Sequence, residues 1–419
     1  MKPSYKALRG MKDILPEDVP HWRFVERTAR DWFERYGFRE IRTPLLESTA
    51  LFERSVGEQT DIVHKEMYTF ERGDDRVSLR PESTASVVRA FVEASRAHEL
   101  SAGYPERLYY LGPMFRYERP QRGRQRQFHQ IGAEVLGSPD PQCDVEALAM
   151  LWHFLEAVGV ERKALVLNSV GDRACRPTYR QVLVDWLAPR VDGFCEDCKR
   201  RYRDNPLRVL DCKLDQDRAQ LAEAPRLADH LCEPCETHFA AVRAGLDAFG
   251  VPYTVDANIV RGLDYYVRTV FEVLGEDLGA QNAILGGGRY DGLVEELGGP
   301  DVPGFGFAIG TERLLICADR ERATDPAPAV ALIGLGAEGF RRASEFAERF
   351  RKAGLSVLVP LVERPMGAQM KRADRLGVRR AMFVGEREIE AGRFGVKDLR
   401  TGDQSDVELD DLVRVLGEP

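Results

Sequence analysis

The chain has 419 residues, more than one hydrophobic core usually serves, so we expect two or three domains. Its 60 Lys and Arg against 68 Asp and Glu give a formal net charge of −8, which excludes a protein coated by nucleic acid and leaves room only for local contacts. No apolar run approaches the ~20 residues of a membrane-spanning helix, and residues 1–20 lack the apolar core of a signal peptide. We therefore predict a cytoplasmic protein, in which the eight cysteines stay reduced.

The first part of the chain mixes helix and strand patterns. Apolar residues at helical spacing predict a helix from Trp22 to Tyr36, ended by Gly37, and a strand follows that is closed by Pro44. Further helices are predicted from 84 past 91 and over 144–158. Further strands are predicted over 65–70, 77–80, 253–259, 265–273 and 305–309.

Composition changes twice along the chain. Residues 171–250 are charged, cysteine-bearing and mostly helical, which indicates an insertion. Residues 324–329 contain two prolines and show no periodicity, which predicts a linker. Beyond the linker, strand and helix patterns alternate from Val330 to Val384, which predicts a small parallel or mixed α/β domain. We therefore expect one domain over 1–325 and a second over 330–419.

The segment 110–134 joins two strand patterns through a loop that carries arginines at 116, 119, 122, 124 and 126. Such a concentration in an acidic chain indicates a polyanion at one place, because guanidinium groups bind phosphate oxygens in bidentate fashion. A solvated basic hairpin would explain the arginines equally well. It would not explain the alternating Phe128, Gln130 and Glu134 that follow.

Three other segments combine glycine with charged or aromatic residues. Val260–Tyr266 places an arginine and paired tyrosines at a strand edge, Gly286–Gly292 reads as a glycine-dense turn, and Gly304–Arg313 is a glycine-alternating strand that leads into a helix. Each segment alone could be purely structural, because glycine-rich turns are common. Their order along the chain is what indicates a functional site.

In these segments, and along essentially its whole length, the chain resembles the histidyl-tRNA synthetases, which are class II aminoacyl-tRNA synthetases. Residues 36–47 resemble the dimer-forming motif 1, the arginine-rich hairpin resembles motif 2, and 304–313 resembles motif 3. Residues 260–266 and 283–293 resemble two stretches peculiar to the histidine enzymes. The resemblance implies an α/β protein with an α+β catalytic domain: a six-stranded antiparallel sheet flanked by helices, a helical insertion, and a C-terminal α/β anticodon-binding domain.

The same resemblance implies the reaction and the nucleotide site. Such an enzyme activates L-histidine with ATP and Mg²⁺ to histidyl-adenylate, releases pyrophosphate and transfers histidine to the 3′ end of its tRNA, acting as a homodimer. Arg116 is implied on the α-phosphate and Arg313 on the γ-phosphate, while Phe128 would stack on adenine and Glu118 would bind its amine. Arg261 is implied as the histidine-specific arginine between the α-phosphate and the reacting carboxylate.

For histidine itself the resemblance implies three groups of residues. Glu134 would bind the imidazole, Tyr265 and Tyr266 would line the pocket, and the α-amino end would be held by Glu82, Ser83, Thr84 and Gln130. From the residues alone, Glu134 could be a strand carboxylate facing water and the tyrosines could be core aromatics. Because adjacent strand residues face opposite sides, we expect one of the two tyrosines to point away from the pocket.

One position departs from the family pattern, which usually has glycine where this chain has Ser83. A serine fits there only if the backbone φ is negative.

The cysteines of the insertion form two Cys-x-x-Cys pairs, Cys195 with Cys198 and Cys232 with Cys235. Four thiolates at this spacing could close one tetrahedral structural Zn²⁺ site. The resemblance does not require zinc, so reduced cysteines without metal remain the alternative. Residues Cys143, Cys175 and Cys317 are predicted to be ordinary small apolar side chains.

Two other functions compete with the ligase interpretation. Non-catalytic histidyl synthetase-like subunits regulate ATP phosphoribosyltransferase, but they typically lack the C-terminal domain and much of the arginine set, and both are present here. A zinc-dependent RNA-binding adaptor built on residues 195–235 would leave the arginines without a purpose. Histidine-dependent exchange of pyrophosphate into ATP without tRNA separates the ligase from both.

Overall fold

The computed structural model describes residues 5–57, 60, 62–94, 100, 104–212, 214–257, 259, 263, 265–279, 282–323 and 328–417. Two sequence predictions concern residues outside the described ranges. They are the site residue Arg261 and residues 324–327 of the predicted linker. The chain divides into two compact units, Met1–Ala323 and Thr324–Pro419.

The first unit is built from ten helices and eleven strands among the described residues. The helices are α1 Val19–Arg35, α2 Thr49–Val56, α3 Thr84–Glu93, α4 Pro141–Ala157, α5 Arg176–Leu187, α6 Glu196–Asp204, α7 Asp215–Leu221, α8 Glu233–Ala248, α9 Leu293–Glu296 and α10 Thr311–Cys317. The strands are β1 Arg39–Glu40, β2 Leu46–Ser48, β3 Tyr68–Arg72, β4 Asp75–Leu79, β5 Glu106–Phe115, β6 Gln127–Leu136, β7 Lys163–Ser169, β8 Tyr253–Val255, β9 Val267–Gly275, β10 Ala283–Arg289 and β11 Gly304–Gly310.

Eight of these strands form one large sheet in the order β1-β5-β6-β11-β10-β9-β7-β8. The six inner strands, β5, β6, β11, β10, β9 and β7, pair with one another in antiparallel fashion. The two edge strands pair in parallel, β1 with β5 and β8 with β7. The six-stranded antiparallel sheet implied by the resemblance is therefore confirmed, with one short parallel strand added at each edge. The strands β2, β4 and β3 form a separate small sheet.

Helix α1 packs on the large sheet through the apolar face that the sequence predicts. Its Val25, Ala29 and Phe33 are fully buried in the main core. Phe33 meets Tyr109 of β5 and Phe307 of β11 in edge-to-face contacts at 5.7 and 5.9 Å between ring centroids. The residues that make α1 amphipathic thus attach it to the middle of the sheet.

The glycine-dense segment read as a turn is partly a strand, which corrects that prediction. Residues 286–289 complete β10, and the turn begins only at Tyr290. A side chain at Gly287 is excluded, because its Cβ would lie 2.2 Å from the carbonyl oxygen of Gly306 on β11. Glycine at position 287 therefore allows two strands to approach closely and is not needed to reverse the chain.

The second unit is a five-stranded mixed sheet with helices. Its strands are β12 Val330–Gly334, β13 Val357–Leu358, β14 Arg380–Val384, β15 Arg393–Asp398 and β16 Gln404–Glu408. Its helices are α11 Gly336–Lys352, α12 Met366–Arg375, α13 Glu386–Ala391 and α14 Leu412–Gly417. In the order β13-β12-β14-β15-β16 the first three strands are parallel and the last two antiparallel, which confirms the predicted α/β type. Within the described part of the chain, no helix is long and apolar enough to cross a membrane.

A buried ion network ties the large sheet to two helices. Arg289 at the end of β10 donates to the carboxylate of Asp144 on α4, and neither side chain is exposed. His238 of α8 contacts the same carboxylate, with 2.9 Å between its Nε2 and Oδ2. Burial opposes ionisation of Asp144, but the charge of Arg289 and hydrogen bonds from Arg289 and His238 outweigh it and lower the pKa of the carboxyl.

We predict that Asp144→Asn destabilises the first unit by about 3–5 kcal/mol, because it leaves the Arg289 guanidinium buried without its main counter-charge. Urea denaturation followed by tryptophan fluorescence measures this, since all four tryptophans, at 22, 32, 152 and 186, belong to the first unit. Glu146→Gln is the matched control: it breaks the half-exposed pair with Arg107 and should cost only about 0–1 kcal/mol. Equal losses in the two variants would contradict the assignment.

Candidate active site

A cavity of about 410 Å³ lies in the first unit, lined by residues of β6, β9, β10, β11 and α10 and of the loop between β5 and β6. Nine of the predicted site residues line this one cavity: Glu82, Thr84, Arg116, Glu118, Phe128, Gln130, Tyr265, Tyr266 and Arg313. Two others, Ser83 and Glu134, are buried and do not line it. The cavity unites predicted residues that are up to 231 positions apart in the chain, from Glu82 to Arg313.

The hairpin of β5 and β6 presents one group of these residues. The two strands pair from Glu106 with Leu136 to Phe115 with Gln127, so residues 116–126 form the predicted long loop. Strand alternation places Phe128, Gln130 and Glu134 on one face. Gln130 is nearly buried, and its Oε1 has no hydrogen-bond partner among the described residues. That oxygen is therefore available to a ligand.

Three arginines, Arg116, Arg124 and Arg313, supply the positive charges of the cavity wall, which also bears five glutamates. The Arg116 guanidinium lies 5.4 Å from the centroid of the Phe128 ring, and its Nε donates to Pro81 O at 2.9 Å. Arg313, near the start of α10, is mostly buried and donates to Ala283 O at 2.6 Å. Burial and then the neighbouring charge of Arg124 lower the pKa of Arg313. An anion bound between Arg124 and Arg313 would relieve that repulsion.

Glu134 lies in a closed pocket with no solvent exposure, which excludes the interpretation as a carboxylate facing water. Tyr290 donates to its Oε2 at 2.6 Å and Thr84 donates to its Oε1 at 2.7 Å. The Tyr110 hydroxyl lies 3.4 Å from Oε1. Burial raises the pKa of Glu134 to about 8. The nearby charge of Glu82 raises this pKa further, and the hydrogen bonds donated to the carboxyl group only partly oppose the increase.

Glycines make the space for this pocket. A Cβ at Gly306 would lie 1.7 Å from Glu134 Oε2, and one at Gly132 would lie 2.3 Å from Cζ of Tyr110. At Gly304 it would lie 2.1 Å from Cε2 of Tyr290. Two of the alternating glycines, Gly304 and Gly306, therefore have a physical reason: each leaves the space that a polar side chain of the pocket occupies.

Both adjacent tyrosines line the cavity, so the expectation that one would point away was wrong. Its premise fails because β9 begins at Val267, after both residues, and strand alternation does not apply to them. The rings of Tyr265 and Tyr266 lie 4.6 Å apart, and Tyr265 meets Tyr290 edge-on at 5.7 Å. The three rings enclose one side of the site.

The start of α3 supplies the remaining polar groups. The buried Glu82 carboxylate accepts the backbone N–H groups of Thr84 at 2.7 Å and Ala85 at 2.9 Å, which caps the helix. Ser83 has φ −115°, so a serine is accommodated without strain where the family usually has glycine. Its hydroxyl is buried and has no hydrogen-bond partner among the described residues.

Sequence reasoning missed two residues of the Glu134 pocket, Tyr290 and Tyr110. Tyr290 directly follows the glycine-dense end of β10, and that position was the signal available for it. Nothing in the pattern of β5 distinguishes Tyr110 from the other apolar residues of the strand. Both are recognised only through their contacts with Glu134.

The cysteines do not form the single predicted site, which is a second correction. Cys195 and Cys198 lie with Cys212 and Asp217, whereas Cys232 and Cys235 lie with Cys175 and Asp172. Within each group the potential ligand atoms are all within 4.8 Å of one another. Each Cys-x-x-Cys pair thus finds its partners elsewhere in the insertion rather than in the other pair. Cys175 belongs to a cluster and is not the isolated apolar residue that was predicted.

Comparison with known proteins agrees with this site. A family model described as histidyl-tRNA synthetase matches residues 10–314, and one described as anticodon binding domain matches residues 329–418. A histidine–tRNA ligase of Solidesulfovibrio magneticus is 49% identical over 409 residues, 97% of this chain and 96% of that protein. The ligase of Syntrophotalea carbinolica is 47% identical over 415 residues, 99% and 98% of the two chains.

A solved structure agrees over the whole length. The apo histidyl-tRNA synthetase of S. aureus superposes with a TM-score of 0.83 at 38% identity, covering 99% of this chain and 100% of that one. The matches extend through both units rather than through the first alone. This chain therefore belongs to the histidyl-tRNA synthetase family.

Proposed function

We propose that the protein is a histidine–tRNA ligase, which joins histidine to ATP as histidyl-adenylate and then transfers the histidyl group to the 3′ end of its tRNA. The observation that carries this proposal is the position of the closed Glu134 pocket behind a cavity lined by arginines. The carboxyl group can recognise an imidazole, and the arginines suit a triphosphate. Curated relatives at 47–49% identity over nearly their full length have this name.

The arginines of the cavity suit the first step of the reaction. In that step a carboxylate attacks the α-phosphate, so negative charge accumulates in a site partly shielded from water. Arg116 is assigned to the α-phosphate and Arg313 to the γ-phosphate, and each fixed donor of this kind is worth ~3–4 kcal/mol in comparable sites. Phe128 would stack on the adenine, and Glu118 would accept a hydrogen bond from its amine.

Mg²⁺ fits the same cavity because Glu272 and Glu312 supply carboxylate oxygens on its wall. Mg²⁺ usually takes one or two carboxylates together with substrate phosphates. It would neutralise phosphate charge when bound with ATP.

The full-length matches favour the ligase over the regulatory subunit of ATP phosphoribosyltransferase. The anticodon-binding model covers residues 329–418 of this chain, and Arg116 and Arg313 both lie at the cavity.

For the tRNA, we assign the acceptor stem to the arginines of the 119–126 loop. We assign the anticodon to the second unit, whose densest basic stretch lies on and after α12: Lys371, Arg372, Arg375, Arg379 and Arg380.

Arg261 is assigned to the point where the histidine carboxylate meets the α-phosphate. Ile259 and Leu263, which precede and follow it, both pack against the core cluster that contains Tyr265 and Tyr266. Leu263 also lines the cavity.

We expect Arg261→His to lower kcat for adenylate formation by ~10² to 10³ with a much smaller change in the histidine KM, because the lost interaction acts mainly in the transition state. Arg261→Lys should recover only part of the rate, since a point charge cannot copy the planar fork. Pyrophosphate exchange measures both variants. Arg119→His, assigned to tRNA, is the control and should exchange at the wild-type rate. A near wild-type rate for a folded Arg261→His would assign Arg261 to a surface ion pair.

The Glu134 pocket gives histidine binding a defined pH dependence. The complex holds one proton between the carboxyl and the imidazole. Below pH ~6.5 free histidine carries an extra proton that binding must release. Above pH 8 free Glu134, whose pKa is raised to about 8, has lost the proton that binding must regain. We therefore predict that affinity is greatest between these two values.

Glu134→Gln should weaken histidine binding by ~10- to 100-fold, the value of a hydrogen bond to a charged group. It should also remove the part of the decline above pH 8 that is due to Glu134. Calorimetric titration at stepped pH compares the two proteins, and the α-amino group of histidine affects both alike. Glu118→Gln, on the ATP side, serves as the control and should bind histidine normally. An unchanged affinity in Glu134→Gln would contradict the assignment.

A homodimer is proposed from motif 1. Leu45 and Leu46, which follow Pro44, are 42% and 50% exposed in the single chain, and a C2 dimer is the commonest soluble oligomer.

Light scattering at micromolar concentration should give twice the chain mass of 47.3 kDa. Leu46→Glu should shift the protein toward monomer, because it places a charge in the proposed contact. Phe249→Glu, at an apolar residue of similar exposure, 48%, should leave the dimer intact. A wild-type monomer would rule the dimer out.

A further inference from the structure

The insertion contains two cysteine clusters that the ligase reaction does not use. The first, which we call the base cluster, consists of Asp172, Cys175, Cys232 and Cys235. The second, the inner cluster, consists of Cys195, Cys198, Cys212 and Asp217. We propose that each cluster binds one structural Zn²⁺ ion through three thiolates and one carboxylate.

The separations inside both clusters fit a tetrahedral metal site. A Zn–S distance of ~2.3 Å gives ~3.8 Å between two sulfur ligands and ~3.5 Å between sulfur and oxygen. The Sγ atoms of Cys175 and Cys235 are 3.9 Å apart, and those of Cys195 and Cys212 are 4.0 Å apart. A disulfide would need ~2.05 Å, so these are not bonded pairs.

The carboxylates lie at matching distances. Asp172 Oδ1 is 3.6 Å from the Cys175 sulfur and 3.7 Å from that of Cys232. In the inner cluster, Asp217 Oδ2 is 3.1 Å from the sulfur of Cys212. Each cluster therefore offers four ligand atoms of types that Zn²⁺ binds, three sulfurs and one carboxylate oxygen.

Three of the sulfur ligands lie at helix starts. Cys175, Cys195 and Cys232 occupy the N-cap positions of α5, α6 and α8. Backbone N–H groups also point at sulfur: that of Asp172 lies 3.2 Å from Cys175 Sγ, and that of Cys198 lies 3.5 Å from Cys195 Sγ.

Zinc binds the thiolate form of cysteine, so three thiols that take up one Zn²⁺ ion release three protons.

The two metal sites would connect different parts of the insertion. The base cluster joins residues just after β7 to the first turn of α8, where the insertion leaves the large sheet and returns to it. The inner cluster joins α6 to α7 within the insertion. Gly171 leaves room for the base cluster, since a Cβ there would lie 2.6 Å from Cys175 Sγ.

The test is metal content of the full chain, purified under reducing conditions with zinc supplied. We expect two zinc ions per chain by elemental analysis, and one in either Cys198→Ser or Cys235→Ser. The controls are Cys143→Ser and Cys317→Ser, which lie outside both clusters and should keep two. Zero or one zinc in the wild-type protein would overturn the proposal.

Two further measurements do not depend on the stability of serine variants. Cobalt replacement in the wild-type protein should give two equivalents of the visible absorption typical of tetrahedral cobalt with thiolate ligands. Asp217→Cys should keep both metal ions, because it completes a four-thiolate set, whereas Asp217→Ala should lose one. Octahedral cobalt spectra, or equal zinc content in the two Asp217 variants, would also overturn the proposal.

Discussion

The burial of one carboxyl group, that of Glu134, is the constraint on which the rest of the site depends. A carboxyl group with no exposure to water is unfavourable unless hydroxyls or a ligand pair with it. Three separate parts of the fold supply those hydroxyls: the start of α3, strand β5 and the turn after β10. The large sheet must therefore hold β10 and β11 in register with β6 for the pocket to exist.

The glycines and the buried ion network follow from that requirement. Gly306 and Gly132 leave the volume that Glu134 and Tyr110 occupy. Arg289, next to Tyr290 in the chain, is attached to α4 by Asp144 and through it to α8 by His238. The same helix α8 carries Cys232 and Cys235 at its start. The Glu134 pocket and the base of the insertion are thus connected through one helix, α8.

Much of the site was predictable from local pattern. The alternation of Phe128, Gln130 and Glu134 predicts one strand face, and the apolar face of α1 predicts its packing on the sheet. The partners of Glu134 were not predictable in that way, because Tyr290 is 156 residues away and meets it only through strand register. The cysteines show the same limit: each Cys-x-x-Cys pair is local, but the choice of Asp172 or Asp217 as its neighbour depends on how the insertion folds. The error over Tyr265 and Tyr266 arose from a strand boundary placed two residues too early.

We propose that a buried carboxyl group beside an arginine-lined cavity selects histidine for activation by ATP. A pocket that must satisfy Glu134 should reject amino acids without a matching N–H group by ~10⁴ to 10⁵. The most direct measurement is exchange of labelled pyrophosphate into ATP by the wild-type protein, without tRNA, for each of the twenty standard amino acids. We expect exchange with histidine and none above background with phenylalanine or glutamine. Exchange with no amino acid, or comparable exchange with phenylalanine, would contradict this proposal.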